Sequence, residues 1–188
     1  MTLPPLGAVL AGGAATRLGG AKATAQLAGR PLITYPIEAL AQAGITPVVV
    51  AKQGSDLPKL DAEVVIEPDE PRHPLAGVVV ALRHAGTRGA LVLPCDAPFV
   101  SPMLLRLLAS ATSTTAVRSG GRIHPVIAFY DNESLEPLEA AMKAGDSATE
   151  ALEDLDPEWI EAIERETFNI NTPEDLARAE DVLKQPRS

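Results

Sequence analysis

The chain has 188 residues, 16 Lys and Arg against 25 Asp and Glu, a formal net charge of −9 and a single cysteine. A chain of this length suits one domain and buries roughly 70% of its unfolded surface, so its core needs neither disulfide nor metal. Cys95 has no internal partner to bridge with, and nothing asks for an oxidising compartment. The acidic balance argues against duplex nucleic acid or anionic membrane as main partner, since both are held by many Lys and Arg contacts. One Trp, two Tyr and three Phe are too few for base-stacking platforms along a single strand. Apolar residues reach 46%, yet no apolar run approaches the ~20 residues of a membrane span, and no signal-peptide pattern opens the sequence. The expectation is a soluble, cytoplasmic protein whose partner is small; a phosphorylated metabolite stays open, because a few cations and backbone N–H groups suffice for it.

In chain order, Ala8-Val9-Leu10 reads as a short buried strand running into glycines. Leu32 to Ala43 has a helical pattern stopped by Gly44, with Pro36 placing the start of the helix near itself. Val48-Val49-Val50 and Glu63 to Ile66 are strands, Leu75 to Ala85 a helix, and Ala90 to Leu93 a strand ending at Pro94-Cys95-Asp96. Leu104 to Ala109 reads as helix, Pro125 to Tyr130 as strand, and Leu135 to Ala144 as helix before Gly145. Thr112 to Thr115 and Ser119 to Arg122 read as surface connections. Pro173 to Leu183 is a helix with Thr172 as N-cap, Pro173 at its first position and Glu174-Asp175 in its first turn. Apolar strands alternating with amphipathic helices predict an α/β fold: a single Rossmann-like α/β/α domain over residues 1–188 with a mostly parallel sheet covered on both faces.

The most informative stretch is Leu10-Ala11-Gly12-Gly13-Ala14-Ala15-Thr16-Arg17-Leu18-Gly19-Gly20-Ala21-Lys22. It follows the first strand, where an open α/β sheet places its ligand beyond the carboxyl ends of the strands. Glycines let backbone N–H groups approach phosphate oxygens, and Arg17 and Lys22 add a guanidinium fork and a point charge suited to a polyphosphate. The loop is not a Walker A motif, because Lys22 lies between Ala21 and Ala23, and it does not supply G-x-G-x-x-G. Asp96, just past a buried strand, is a hard oxygen ligand of the kind magnesium takes together with substrate phosphates. An Asx-turn that closes the strand is the other reading of Asp96. Cys95 beside it has no Cys–His spacing to support catalysis and reads as a packing residue.

The loop resembles the opening of the nucleotidyltransferases that attach a nucleotide to a phosphate acceptor and release pyrophosphate. More narrowly it is similar to molybdenum cofactor guanylyltransferases of the MobA type. Three later segments extend the resemblance: Pro74-Leu75-Ala76-Gly77, with His73 in place of a glycine; Pro94-Cys95-Asp96-Ala97-Pro98-Phe99; and Asn169-Ile170-Asn171-Thr172-Pro173-Glu174-Asp175-Leu176. The resemblance implies transfer of GMP from GTP to molybdenum-molybdopterin with Mg²⁺ as cofactor, and transient contact with molybdoenzymes or cofactor-assembly proteins. The Gly12-Gly13 pair leans toward guanine, since related cytidylyltransferases usually carry Leu-Ala-Ala-Gly.

Onto this chain the resemblance carries Arg17, Lys22 and Asp96 as catalytic residues, with Asp96 also as metal ligand. Leu10, Ala11, Gly12, Gly13, Lys22, Asp69 and Asp96 fall on the nucleotide side. Asp69 competes there with Glu67 and with a plain reading as a solvated acid. His124, Asn169 and Asn171 fall on the acceptor side; the two asparagines flank one residue, so on an extended segment they point the same way. Ala15, Ala21 and Ala51 stand where relatives often carry Ser, Asp and a polar nucleotide contact. These departures keep two other readings open: a cytidylyl- or uridylyltransferase for another phosphorylated metabolite, and a nucleotide-binding accessory protein without catalysis.

Overall fold

Leu6–Leu10 (β1) is a run of small and branched apolar residues, and it becomes an inner strand of a seven-stranded sheet. The structure is a computed structural model that describes residues 4–12, 22–70 and 72–184. Gln26–Leu27 (β2) and Arg30–Pro31 (β3) form a small separate hairpin before the helix Thr34–Ala43 (α1). Pro47–Lys52 (β4), Glu63–Glu67 (β5), the helix Ala76–Ala85 (α2) and Ala90–Pro94 (β6) follow, then the helix Pro102–Ala109 (α3). The remainder comprises Thr115–Ser119 (β7), Arg122–Tyr130 (β8), the helices Leu135–Ala144 (α4) and Ala148–Glu153 (α5), Glu158–Glu161 (β9) and the helix Pro173–Lys184 (α6).

The sheet order is β5-β4-β1-β6-β8-β7-β9. The β5, β4, β1 and β6 pairings are parallel, β8 runs antiparallel to β6 and β7, and β9 lies parallel to β7. Alternate residues of each strand feed two cores, as the two-residue period of a strand requires. Val9, Val49, Leu91, Leu93 and Ile127 meet Leu40 of α1 and Leu104, Leu105 and Leu108 of α3 on one face. Ala8, Val48, Val50, Val92 and Ala128 meet Val78 and Leu82 of α2, Leu138 of α4 and Leu152 of α5 on the other. This is the three-layer, mostly parallel α/β architecture expected.

The elements differ from expectation at specific places, for local reasons. Helix α1 begins at Thr34, and Pro36 falls in its first turn, where the missing N–H would have had no intrahelical partner. Gly44 does close that helix in the left-handed region, φ 81°. The readings of Thr112 to Thr115 and Ser119 to Arg122 as surface connections need correction. Thr115 opens β7, while Ser119 and Arg122 are paired ends of a hairpin turned by Gly120 and Gly121. Strand β8 accordingly starts at Arg122, before Pro125. Strand β9, helix α5 and the β2–β3 hairpin were not expected at all.

Two consequences position the site. The chain leaves β1 with neighbours to both sides, β4 reached first and β6 reached later, so the crevice at the carboxyl ends of β1 and β6 is a topological switch point. Leu10 pairs in register with Pro94, and the Cys95 N–H donates to the Leu10 carbonyl at 3.1 Å, so Gly12 and Asp96 leave the sheet side by side. Further along, the Ile170 N–H donates to the Asp96 carbonyl at 2.9 Å and pins the segment before α6 against the same strand end.

Candidate active site

A cleft of about 650 Å³ opens over the carboxyl ends of β1, β4, β5 and β6. Leu10, Gly12, Lys22, Asp69 and Asp96 line it, as do Lys52 and Glu67, the last residues of β4 and β5. Lys22 stands on a short 3₁₀ turn, Lys22–Thr24, and its ammonium donates to Asp96 Oδ2 at 2.6 Å. Asp96 is buried, with 5% of its surface exposed, so this close cation is what makes a carboxylate tolerable at the strand end. Cys95 beside it is buried too, and desolvation, reinforced by the Asp96 charge, pushes its thiol up to about 12. That keeps the sulfur protonated and inert, in accord with a packing role.

The same lysine reaches a second hollow. Lys22 Nζ donates to Asn171 Oδ1 at 2.5 Å, and Asn171 lines a cavity of about 480 Å³ together with Ser119, Arg122, His124, Asn169 and Arg178. Ile170, fully buried between the two asparagines, is the anchor that turns both amides toward this cavity. Ser119 Oγ, His124 Nε2 and Asn169 Oδ1 are buried and have no protein hydrogen-bond partner among the described residues. Burial, with help from the Arg122 charge, lowers the His124 pKa, so its imidazole is neutral and presents one donor and one acceptor. The Arg178 guanidinium stacks 5.0 Å from the Phe168 ring centroid at the rim.

Of the residues expected at the site, Lys22, Asp96, Leu10, Gly12 and Asp69 lie together in the first cleft, and His124, Asn169 and Asn171 in the second. Ala11 does not face either; its side chain packs in the core, while its N–H donates to the Val50 carbonyl at 2.8 Å. Gly13, Ala15, Arg17 and Ala21 lie outside the described residues. Ala51 is fully buried in the core, so on this strand the polar group at the cleft comes from the next residue, Lys52. Lys52 and Glu67 pair in register at the ends of adjacent parallel strands, with Nζ 3.8 Å from Oε1. Sequence reasoning passed over Lys52, quoted Gly77 only as part of the Pro74-Leu75-Ala76-Gly77 motif, and gave Glu67 only as a competitor of Asp69. The signal for Lys52 and Glu67 was positional: polar residues closing apolar strands of a parallel sheet face its carboxyl-end crevice.

Sheet order, switch-point cleft and the lysine–aspartate pair at the end of β6 are those of a doubly wound sheet with its ligand site at the strand ends, and the family match makes it a transferase of nucleotidyl groups. Residues 7–158 match the MobA-like NTP transferase domain, and the chain belongs to that family. A molybdenum cofactor guanylyltransferase of Cereibacter sphaeroides is 34% identical over 188 residues, covering 95% of this chain and 97% of the relative. One from Vibrio atlanticus is 32% identical, covering 90% and 92%. Among solved structures, molybdopterin-guanine dinucleotide biosynthesis protein A of Archaeoglobus fulgidus superposes with a TM-score of 0.75 at 26% identity, covering 94% of this chain and 97% of that one. Among the described residues no helix is long and apolar enough to cross a membrane.

Proposed function

We propose that this enzyme transfers GMP from GTP to a terminal phosphate of molybdenum-molybdopterin and releases pyrophosphate. The observation that carries the reading is the contact of two cavities at one point. Lys22 touches Asp96 of the cleft and Asn171 of the second hollow at once, so a donor and an acceptor would meet there. In the reaction an acceptor phosphate oxygen forms a bond to the α-phosphorus, and the bond from that phosphorus to the oxygen bridging to the β-phosphate breaks. The leaving group is pyrophosphate, and no covalent enzyme intermediate is required, so positioning and electrostatics supply the rate.

Lys22 and Arg17 neutralise the triphosphate in this reading, and Gly12 and Gly13 offer backbone N–H groups to base and phosphates. Asp69, at the cleft margin, takes the sugar side. His124, Asn169 and Asn171 hold the acceptor; a neutral imidazole and two amides match the mixed donors and acceptors of a pterin.

Magnesium fits the cleft by the chemistry of the donor set. Among the described residues no three His, Cys, Asp or Glu side chains gather into a metal cluster. Asp96 offers the cleft a hard carboxylate oxygen, a donor that suits an ion keeping phosphates and water as its other ligands. Bound on Asp96, the ion would polarise the α-phosphate and offset developing charge.

The test is a panel of the four nucleoside triphosphates with Mg²⁺ and molybdenum-molybdopterin, following pyrophosphate. Release with GTP and acceptor together is expected. Release with CTP or UTP in its place, or binding of GTP without release, overturns the reading.

A further inference from the structure

Gly12 and Gly77 share a neighbour that is not a phosphate. A Cβ on Gly12 would lie 2.8 Å from Glu67 Oε2, and a Cβ on Gly77 would lie 3.2 Å from the same oxygen. Gly12 follows β1 and Gly77 lies in the first turn of α2, so the strand exit and the helix start converge on one carboxylate at the end of β5. Glu67 is only 8% exposed, yet it lines the cleft, and Lys52 stands 3.8 Å from its Oε1. Lys52 is itself tethered, donating to the Asp69 carbonyl at 3.3 Å. A buried acid paired this loosely is costly to keep for structure alone, and the bare backbone at Gly12 and Gly77 leaves room around its oxygen.

The pair has a definite chemical complement. Guanine presents two adjacent donors, N1–H and the 2-amino group, beside the acceptor O6. A carboxylate accepts from both donors and an ammonium donates to O6. Adenine and cytosine instead turn a ring-nitrogen acceptor toward that carboxylate, and uracil has one donor without the neighbouring amino group. We propose that Glu67, in the space left by Gly12 and Gly77, accepts hydrogen bonds from N1 and the 2-amino group of guanine, while Lys52 donates to O6. The assignment rests on the guanylyl reading above and supplies its base selectivity. It makes both glycines spacers for a base-reading side chain.

The experiment measures binding of GTP and of ITP, which lacks only the 2-amino group, to the full chain by calorimetry in the presence of Mg²⁺. Wild type is expected to prefer GTP by about tenfold or more, as a charge-assisted hydrogen bond predicts. Glu67→Gln should weaken GTP at least about tenfold and ITP much less, collapsing the ratio. Lys52→Met should weaken both alike and leave the ratio standing, because O6 is common to the two. Should Glu67→Gln fail to fold in a melting scan, Glu67→Asp withdraws the oxygens by one methylene and should lower the same ratio. A GTP preference that survives both Glu67 variants overturns this inference and leaves the guanylyl reading intact. A wild type that binds CTP better than GTP overturns the guanylyl reading itself.

Discussion

The two halves of the sheet carry cavities of opposite character. Over β5, β4, β1 and β6 each buried acid has a half-buried lysine beside it, Lys22 at Asp96 and Lys52 at Glu67. Beside β8 and β7 the buried polar atoms Ser119 Oγ, His124 Nε2 and Asn169 Oδ1 stand without protein partners among the described residues. The first cavity compensates its own charges, so it can receive a multiply charged tail by exchanging one set of ion pairs for another. The second carries charges of both signs in its lining, Arg122, Arg178, Glu164 and Asp175, but its three partnerless buried atoms are neutral and a standing cost to stability, which a ligand with matching groups would relieve.

Breaking the first half should have the largest effect. Asp96→Asn keeps the size of the side chain and removes its charge, and pyrophosphate release should fall about 10²-fold or more. A rate near wild type would remove Asp96 from the reacting centre.

In the second half, function and stability should move in opposite directions. Asn169→Leu deletes a buried amide oxygen that has no protein partner among the described residues, so the ligand-free protein should gain on the order of 1 kcal/mol in denaturant unfolding. The same change should raise the acceptor KM about tenfold while GTP affinity stays as it was. Loss of stability together with unchanged acceptor KM would make Asn169 a structural residue.

Acidification should sharpen the contrast further. Burial first, and Arg122 second, hold the His124 pKa below its ordinary value of 6.5. Between the folded value and 6.5 the unfolded chain binds this proton more readily, so stability falls as pH is lowered through 6.5. Wild type should therefore lose more melting temperature between about pH 7.5 and 5.5 than His124→Gln does. Equal losses would show that His124 titrates freely. The smallest effect belongs to Cys95: its raised thiol pKa and burial predict that the native protein resists alkylation, and Cys95→Ala should leave turnover within about twofold. Rapid labelling of the folded chain would contradict this.

The pattern of apolar runs made most of the parallel half legible, because β1, β4 and β6 are continuous, locally specified strands buried by helices whose own patterns are strong. The far edge was less so. Glu158–Glu161 sets an adjacent Trp and Ile between two acids, without the alternation of a half-buried strand, and only its parallel pairing with Thr115–Ser119, some forty residues away, makes it a strand. Arg122–Tyr130 was half seen, because Pro125 looks like a strand start, whereas it sits inside a longer strand whose pairing with β7 shifts register between Ala116 and Val117.

The sequence by itself determined the class of chemistry: glycines after a first strand, Lys22, an aspartate after a buried strand, and paired asparagines before the last helix are local facts of order and spacing. The tertiary structure alone decided that Lys22 joins Asp96 to Asn171, and that Gly12 and Gly77 face Glu67. Those contacts link residues up to 149 positions apart. Their geometry is set by sheet register and by the anchoring of Ile170 on the Asp96 carbonyl, and neither is written in the residues that meet.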